Sequence, residues 1–202
     1  MAAPRPRSDE ERQLIFRAAL RVMRVNGYAD AQISDILAEA GLGTRAFYRH
    51  FSSKDDLVIA LFEDNASRTA ARLEARVQAA PTARDQLLAW IDEMLDLGYD
   101  GRRSARAQLF AASAVRVSSA DAERRILATL HAPLVEVLRG GAASGEFDSA
   151  SPEQDAASVQ ALVWVFFEAA VLGRPLVPRE AARAHVLRFC LPALGLAGEE
   201  AV

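Results

Sequence analysis

The chain has 202 residues, 51% of them hydrophobic and 25% charged, with a formal charge of −3 at pH 7. That balance is ordinary for a globular protein with one large domain or two small ones and a real core. The single cysteine, Cys190, rules out an intrachain disulfide or a thiolate metal cluster, and no run of eighteen apolar residues or leader-like start appears, which disfavours export and membrane spanning and points to a reduced cytosol.

The opening arm, residues 1–8 with Pro4 and Pro6, is expected to be disordered, with Arg5 and Arg7 available to follow a minor groove. Helix periodicity begins at about Glu10 and runs to Asn26, where Gly27 stops it. Ile15, Ala18, Ala19, Val22 and Met23 form its core stripe, and Tyr28 folds back over the helix end. In the next segment Ile33, Ile36, Leu37 and Ala40 recur at spacings of three and four, so one face packs inward and Ser34, Asp35 and Glu39 stay wet. Gly41 sits where a helix ends in a left-handed residue, and Leu42 plugs the turn.

A third short helix follows, begun by Thr44 through its hydroxyl or by Gly43 as the other cap. Phe47 and Phe51 face its core side, four residues apart, while Thr44, Arg45, Tyr48 and Arg49 lie largely away from it. A short helix, a glycine turn and a second short helix with two exposed arginines is the pattern of a DNA-reading helix-turn-helix. Arginine's planar fork bonds two acceptors of guanine at once, so Arg45 and Arg49 are the base readers, with Thr44 a weaker one and Ala46 a contact for a thymine methyl. Tyr48, His50 and Lys54 are the phosphate set. Taken alone, Tyr48 also fits a half-buried packing role and His50 an ordinary surface histidine. The segment SSKDDL starts a fourth helix with Ser52 or Ser53 as cap, and its first-turn amides suit a phosphate.

From about Gln13 to Phe62, through RAALRVMRVNGY, ISDILAEAG, FYRHF and SSKDDLVIALF, the chain resembles the N-terminal domain of the TetR family of bacterial transcriptional regulators. The resemblance implies an all-α protein in which a three-helix DNA-binding domain, residues 9–54, is joined by a long helix, residues 55–80, to a C-terminal effector-binding and dimerisation domain, residues 81–202. It also implies that Tyr48, His50 and Lys54 hold the phosphate backbone and that Thr44, Arg45 and Arg49 choose bases. Two departures from the family pattern, Gln32 before the second helix and Gly43 before the third, each remove a hydroxyl cap; Gln32 keeps an amide that can reach a phosphate. Residues 1–54 carry nine basic and six acidic side chains, a charge of +3, so the remainder carries −6. The basic footprint therefore lies on the motif, and a dimer doubles it on a pseudo-palindromic operator.

Beyond the fourth helix, expected over residues 54–78, Pro81 marks a boundary. Helices are predicted at about residues 83–97, 103–118, 122–144, 153–173 and 179–194, punctuated by Gly98, Gly101, the Gly140–Gly141 pair, Gly145 and several prolines. Pro133 kinks or splits the third of these. VQALVWVFFEAAVL, residues 159–172, is apolar around most of its circumference and needs more than one packed face. A partner subunit meeting it and the Val186, Leu187, Phe189, Cys190 face, or a central place in a monomer, both satisfy that need; the resemblance favours the homodimer.

Trp90, Met94, Phe110, Trp164, Phe167 and Glu168 are the candidate lining of an effector pocket, apolar with one acidic group, although aromatics at helical spacing are more often plain core. Glu168 has a second possible partner in Arg174 across a subunit contact. No phosphate loop, metal-histidine helix or nucleophile elbow is present, so the expectation is no enzyme, no metal and no cofactor. The reading is a cytoplasmic homodimeric regulator, a repressor by family expectation, whose partners are an operator duplex and a small effector. The alternative is a helical small-molecule binder whose helix-turn-helix no longer reads DNA.

Overall fold

The computed structural model describes residues 8–101 and 120–196, which form eight α-helices and no strand. They are α1 (Ser8–Asp30), α2 (Ile33–Ala40), α3 (Thr44–His50), α4 (Lys54–Gln78), α5 (Ala83–Tyr99), α6 (Ala120–Ser144), α7 (Pro152–Val171) and α8 (Arg179–Ala193). The helix expected at 103–118, with Phe110, and the arm before residue 8 lie outside the described residues. None of the described helices is long and apolar enough to cross a membrane.

Two compact units divide the chain, and the division falls after Asp64, inside α4. In the N-terminal unit α1 is broken at Gly27, whose φ of 75° takes it out of helical geometry as the sequence requires. Ile15, Phe16, Ala18, Ala19 and Met23 of α1 meet Ile36, Leu37, Phe47, Phe51, Leu57, Val58 and Leu61 in one core. Phe16 and Phe47 each lie within 6 Å of Phe51, ring centre to ring centre (5.7 and 5.6 Å), a spacing at which aromatic pairs attract beyond their buried area. Val22, expected in the stripe, is only partly buried; Phe16 takes the inner place.

The second unit packs the later part of α4 with α5 to α8 around Leu73, Leu87, Trp90, Ile91, Met94, Leu134, Leu138, Val163, Val186 and Leu191. Thr82 caps α5, its hydroxyl accepting from the Asp85 amide at 3.0 Å. The Gly140–Gly141 pair lies inside α6, within the helix expected over residues 122–144: a Cβ on Gly141 would come within 2.2 Å of the Phe147 ring, so glycine there makes room for an aromatic plug. α8 is tied to α5 by Arg179, which reaches Asp92 and Asp96 at 2.8 Å each, and by Arg183, which meets Asp92 at 2.9 Å. Cys190 is buried on α8, and burial pushes its thiol up to about 11.

Candidate nucleic-acid interface

The geometry at α2 and α3 follows from one turn. Gly41 is left-handed (φ 66°, ψ 31°), its amide returns to Ala38 and Leu37, and the Leu42 amide bonds the Leu37 carbonyl at 3.0 Å. With the carbonyls at the end of α2 satisfied, the chain enters α3 after two residues. Gly43, extended, is the cap position of α3, and it has no side chain to offer. Thr44 is thus the first helical residue, and the expected capping by its hydroxyl does not occur. Gln32 likewise stands at the cap of α2 without a side-chain bond, exposed to solvent.

One side of α3 is committed to the core: Phe47 is fully buried and Ala46 is 7% exposed, which removes Ala46 as a contact for a thymine methyl. The other side presents Thr44, Arg45, Tyr48 and Arg49, all exposed. Tyr48 is 61% exposed, its ring standing edge-on to Phe47 at 5.3 Å, so its hydroxyl projects from a fixed base. Among the described residues no carboxylate pairs with Arg45.

Three side chains of the expected set are engaged within the protein. The His50 imidazole, with 8% of its side chain exposed, lies 3.2 Å from Glu11 Oε2 through Nε2, so it faces into the unit instead of out to a phosphate. Arg49 donates from Nη1 to the same oxygen at 2.5 Å while its side chain stays 54% exposed. Lys54 spends its three donors on the carbonyls of Tyr28, Ala29 and Ala31, at 3.0, 3.3 and 3.1 Å, and its ammonium lies 4.6 Å from the centre of the Tyr28 ring. That is a cap on the end of α1, where backbone carbonyls have run out of helical partners. Tyr28 completes the knot by donating its hydroxyl to Asp55. At the start of α4 Ser53 is the cap, accepting from the Asp56 amide at 3.0 Å. Asp56 in return accepts from the Ser52 amide and hydroxyl, so the first turn expected to face a phosphate is already closed by its own side chains.

Glu11 is the residue that sequence reasoning missed. It is 7% exposed, and its carboxyl is held below the usual carboxylate range, first by the His50 bond and then, against the opposing cost of burial, by Arg49. The signal was present: Glu11 stands four residues before Ile15, in line with the apolar stripe of α1, where a solvated acid has no reason to be.

In the second unit Trp90 and Met94 are core, at 0% and 1% exposure, Trp164 and Phe167 are partly buried with ring centres 4.7 Å apart, and Glu168 is exposed. The acidic group expected to line a pocket therefore faces solvent. Val163, Val186, Leu187 and Cys190 are buried within the unit, so they do not form an outer face; among the described residues of the unit, the large apolar side chains that are exposed are Val165, Leu172, Leu176 and Phe189.

A seven-residue helix that exposes Thr44, Arg45 and Tyr48, seated through a left-handed glycine turn on two supporting helices, defines a helix-turn-helix protein with a separate helical body. Residues 15–61 match the family described as "Bacterial regulatory proteins, tetR family". The fatty acid metabolism regulator protein of Bacillus subtilis is 31% identical over 83 residues, 41% of this chain and 43% of its own length, so that alignment covers less than half of the relative. Among solved structures, a TetR-family regulator described as putative, from Mesorhizobium loti, superposes with a TM-score of 0.74 at 19% identity over 96% of this chain and all of the other. FadR of Bacillus subtilis, solved in complex with stearoyl-CoA, does so with a TM-score of 0.70 at 22% identity, over 90% of this chain and 98% of the other. Residues 15–61 thus carry the likeness to the TetR family of bacterial regulators, and over the whole chain the likeness to these solved structures is one of fold.

Proposed function

We propose that this chain is a sequence-specific transcriptional regulator of the cytoplasm, a homodimer that represses from a pseudo-palindromic operator and is released when a small molecule binds its helical body. The observation that carries the reading is the two-sided α3: Phe47 locked in the core, Thr44, Arg45, Tyr48 and Arg49 on the opposite side with two guanidinium forks. Arg45 and Arg49 read bases, Thr44 contributes to the same choice, and Tyr48 holds a phosphate with Gln32. Dimerisation through Val165, Leu172, Leu176 and Phe189 accounts for four large apolar side chains left at the surface of the body.

An effector in the body is supported by unpaired polar atoms. Trp90 Nε1 and His131 Nδ1 are buried without a hydrogen-bond partner, a costly arrangement in an apolar interior. Burial holds the His131 pKa below its ordinary value, which keeps the ring neutral at pH 7 and able to donate or accept. An apolar molecule carrying an acceptor group would satisfy the Trp90 donor. Release then requires that this molecule bind the DNA-incompetent arrangement more tightly than the competent one.

Selection of bound sequences from a random duplex pool tests the core of this reading. Wild-type protein should enrich a two-fold symmetric site, and Arg45→Ala should lose about 1 to 3 kcal/mol of binding to it while relaxing the preference at one base pair. A folded wild-type protein that enriches nothing at low salt would instead fit a small-molecule binder whose helix-turn-helix has ceased to read DNA.

A further inference from the structure

We propose that Glu11, outside the recognition helix, determines operator specificity by positioning Arg49. The inference rests on the base-reading role of Arg49 given above. Oε2 of Glu11 receives Arg49 Nη1 at 2.5 Å and stands 3.2 Å from His50 Nε2, so one carboxylate oxygen of α1 gathers two consecutive residues of α3. The carboxylate and the imidazole are enclosed, with 9% and 8% of their side chains exposed, whereas Arg49 remains 54% exposed. The guanidinium is therefore anchored at its inner end and presented at its outer one.

Guanine is read by two parallel donors lying in the plane of the base, a demand on direction as much as on charge. A free arginine loses several rotamers to meet it, and an arginine already held at one nitrogen loses fewer. His50 makes the anchor rigid. Glu11 is ionised, so Nε2 must donate to it, and the oxygen that receives Arg49 is held by a second donor. This also accounts for a first-turn acid that is buried in line with Ile15 and lies beside a helix that has to approach phosphates. An apolar residue at that position would spare general DNA affinity an opposing charge. Direction given to Arg49 is what the carboxylate supplies in exchange.

The test uses the full chain, the operator selected by the wild type and duplexes altered one base pair at a time. Arg49→Ala identifies the base pair it reads as the one where discrimination drops, by between about 5-fold and 100-fold. Glu11→Gln should lower discrimination at that base pair alone, about fivefold or more, while binding to unrelated duplex is unchanged or tighter because a negative charge has gone. Combining Glu11→Gln with Arg49→Ala should add nothing further at that position. Glu11→Asp, which keeps the charge but shortens the reach, should lose the same discrimination and serves if Glu11→Gln does not fold. Unchanged discrimination in either folded variant overturns the proposal, as does an equal loss on operator and unrelated duplex, the mark of a purely structural role. Wild-type protein that selects no site, or an Arg49→Ala variant with its preference intact, removes the base-reading role itself and the positioning role with it.

Discussion

In the N-terminal unit a helix of seven residues, α3, is far too short to persist alone, and the unit compensates by tying side chains to helix ends and to one another. Lys54 closes the carbonyls that end α1, Ser53 and Asp56 close the start of α4, Tyr28 reaches Asp55, and Glu11 collects Arg49 and His50. The body works otherwise. Its helices α5 to α8 run from 15 to 25 residues and are stabilised mainly by apolar burial around Trp90, Leu134 and Val163. It also leaves Trp90 Nε1 and His131 Nδ1 unpaired inside and Val165, Leu172, Leu176 and Phe189 exposed outside. The contrast teaches where each unit spends its polar chemistry. The first uses it to rigidify the face of α3 proposed to read bases; the second has polar and apolar groups left over, at the places where an effector and a second subunit are proposed.

The strongest way to break that contrast is to put a charge on each of the two opposite sides of α7. Val163 is 0% exposed and Val165 is 51% exposed. Val163→Asp buries a carboxylate with no partner provided and should cost more than about 4 kcal/mol, seen as loss of the cooperative melt of the body. Val165→Asp with Phe189→Asp should keep the helical circular dichroism spectrum and convert a sedimenting dimer into a monomer. A dimer that survives both charges would remove this face as the interface.

A smaller effect separates two roles for Lys54. As a cap on three carbonyls, it should cost about 1 to 3 kcal/mol of stability when replaced by Met, which keeps the stem and deletes the donors. As a phosphate ligand alone, the same change would leave the melt where it is and reduce the salt dependence of DNA binding by about one counterion. Smaller still is Gly41→Ala: nothing lies within 4 Å of the added Cβ, so the loss reflects only a left-handed backbone, about 1 to 2 kcal/mol. A melt unmoved by that substitution would mean that the turn relaxes to another geometry.

Much of this architecture is readable from the sequence, for reasons that differ by region. The bounds of α4 follow from its serine cap and acidic first turn, and the α2–α3 turn from Gly41, because caps and left-handed positions are local and residue-specific. Inner and outer faces of α7 are not readable, since VQALVWVFFEAAVL is apolar in nearly every direction and periodicity supplies no phase; the structure puts Val163 inside and Val165 outside. The partners of His50 and Lys54 escape for another reason. A motif specifies a residue type at a position, whereas engagement by a carboxylate or by three carbonyls depends on α1 lying alongside, a relation across 39 and up to 26 residues of chain. Glu11 is legible only if an acid in a first helical turn is asked which way it faces as well as what dipole it meets.

Cys190 gives the least perturbing probe of the body, because at neutral pH nothing should happen to it. Its thiol is buried on α8 and pushed from 9.0 up to about 11, so the folded protein holds the proton after an unfolded chain has released it. The sign follows directly: any stabilisation is fully present below pH 9 and is lost as pH rises toward 11, since the unfolded thiolate draws the equilibrium toward itself. The gap between those values is worth at most about 2 kcal/mol after allowance for partial solvation. Cys190→Ala should therefore flatten that part of the alkaline stability curve. In the wild type, alkylation by iodoacetamide at pH 7.5 should be slow and should accelerate only in denaturant. A thiol that reacts in the folded protein at the rate of a free one would show that α8 opens readily, and would place redox sensing in a body where burial now argues against it.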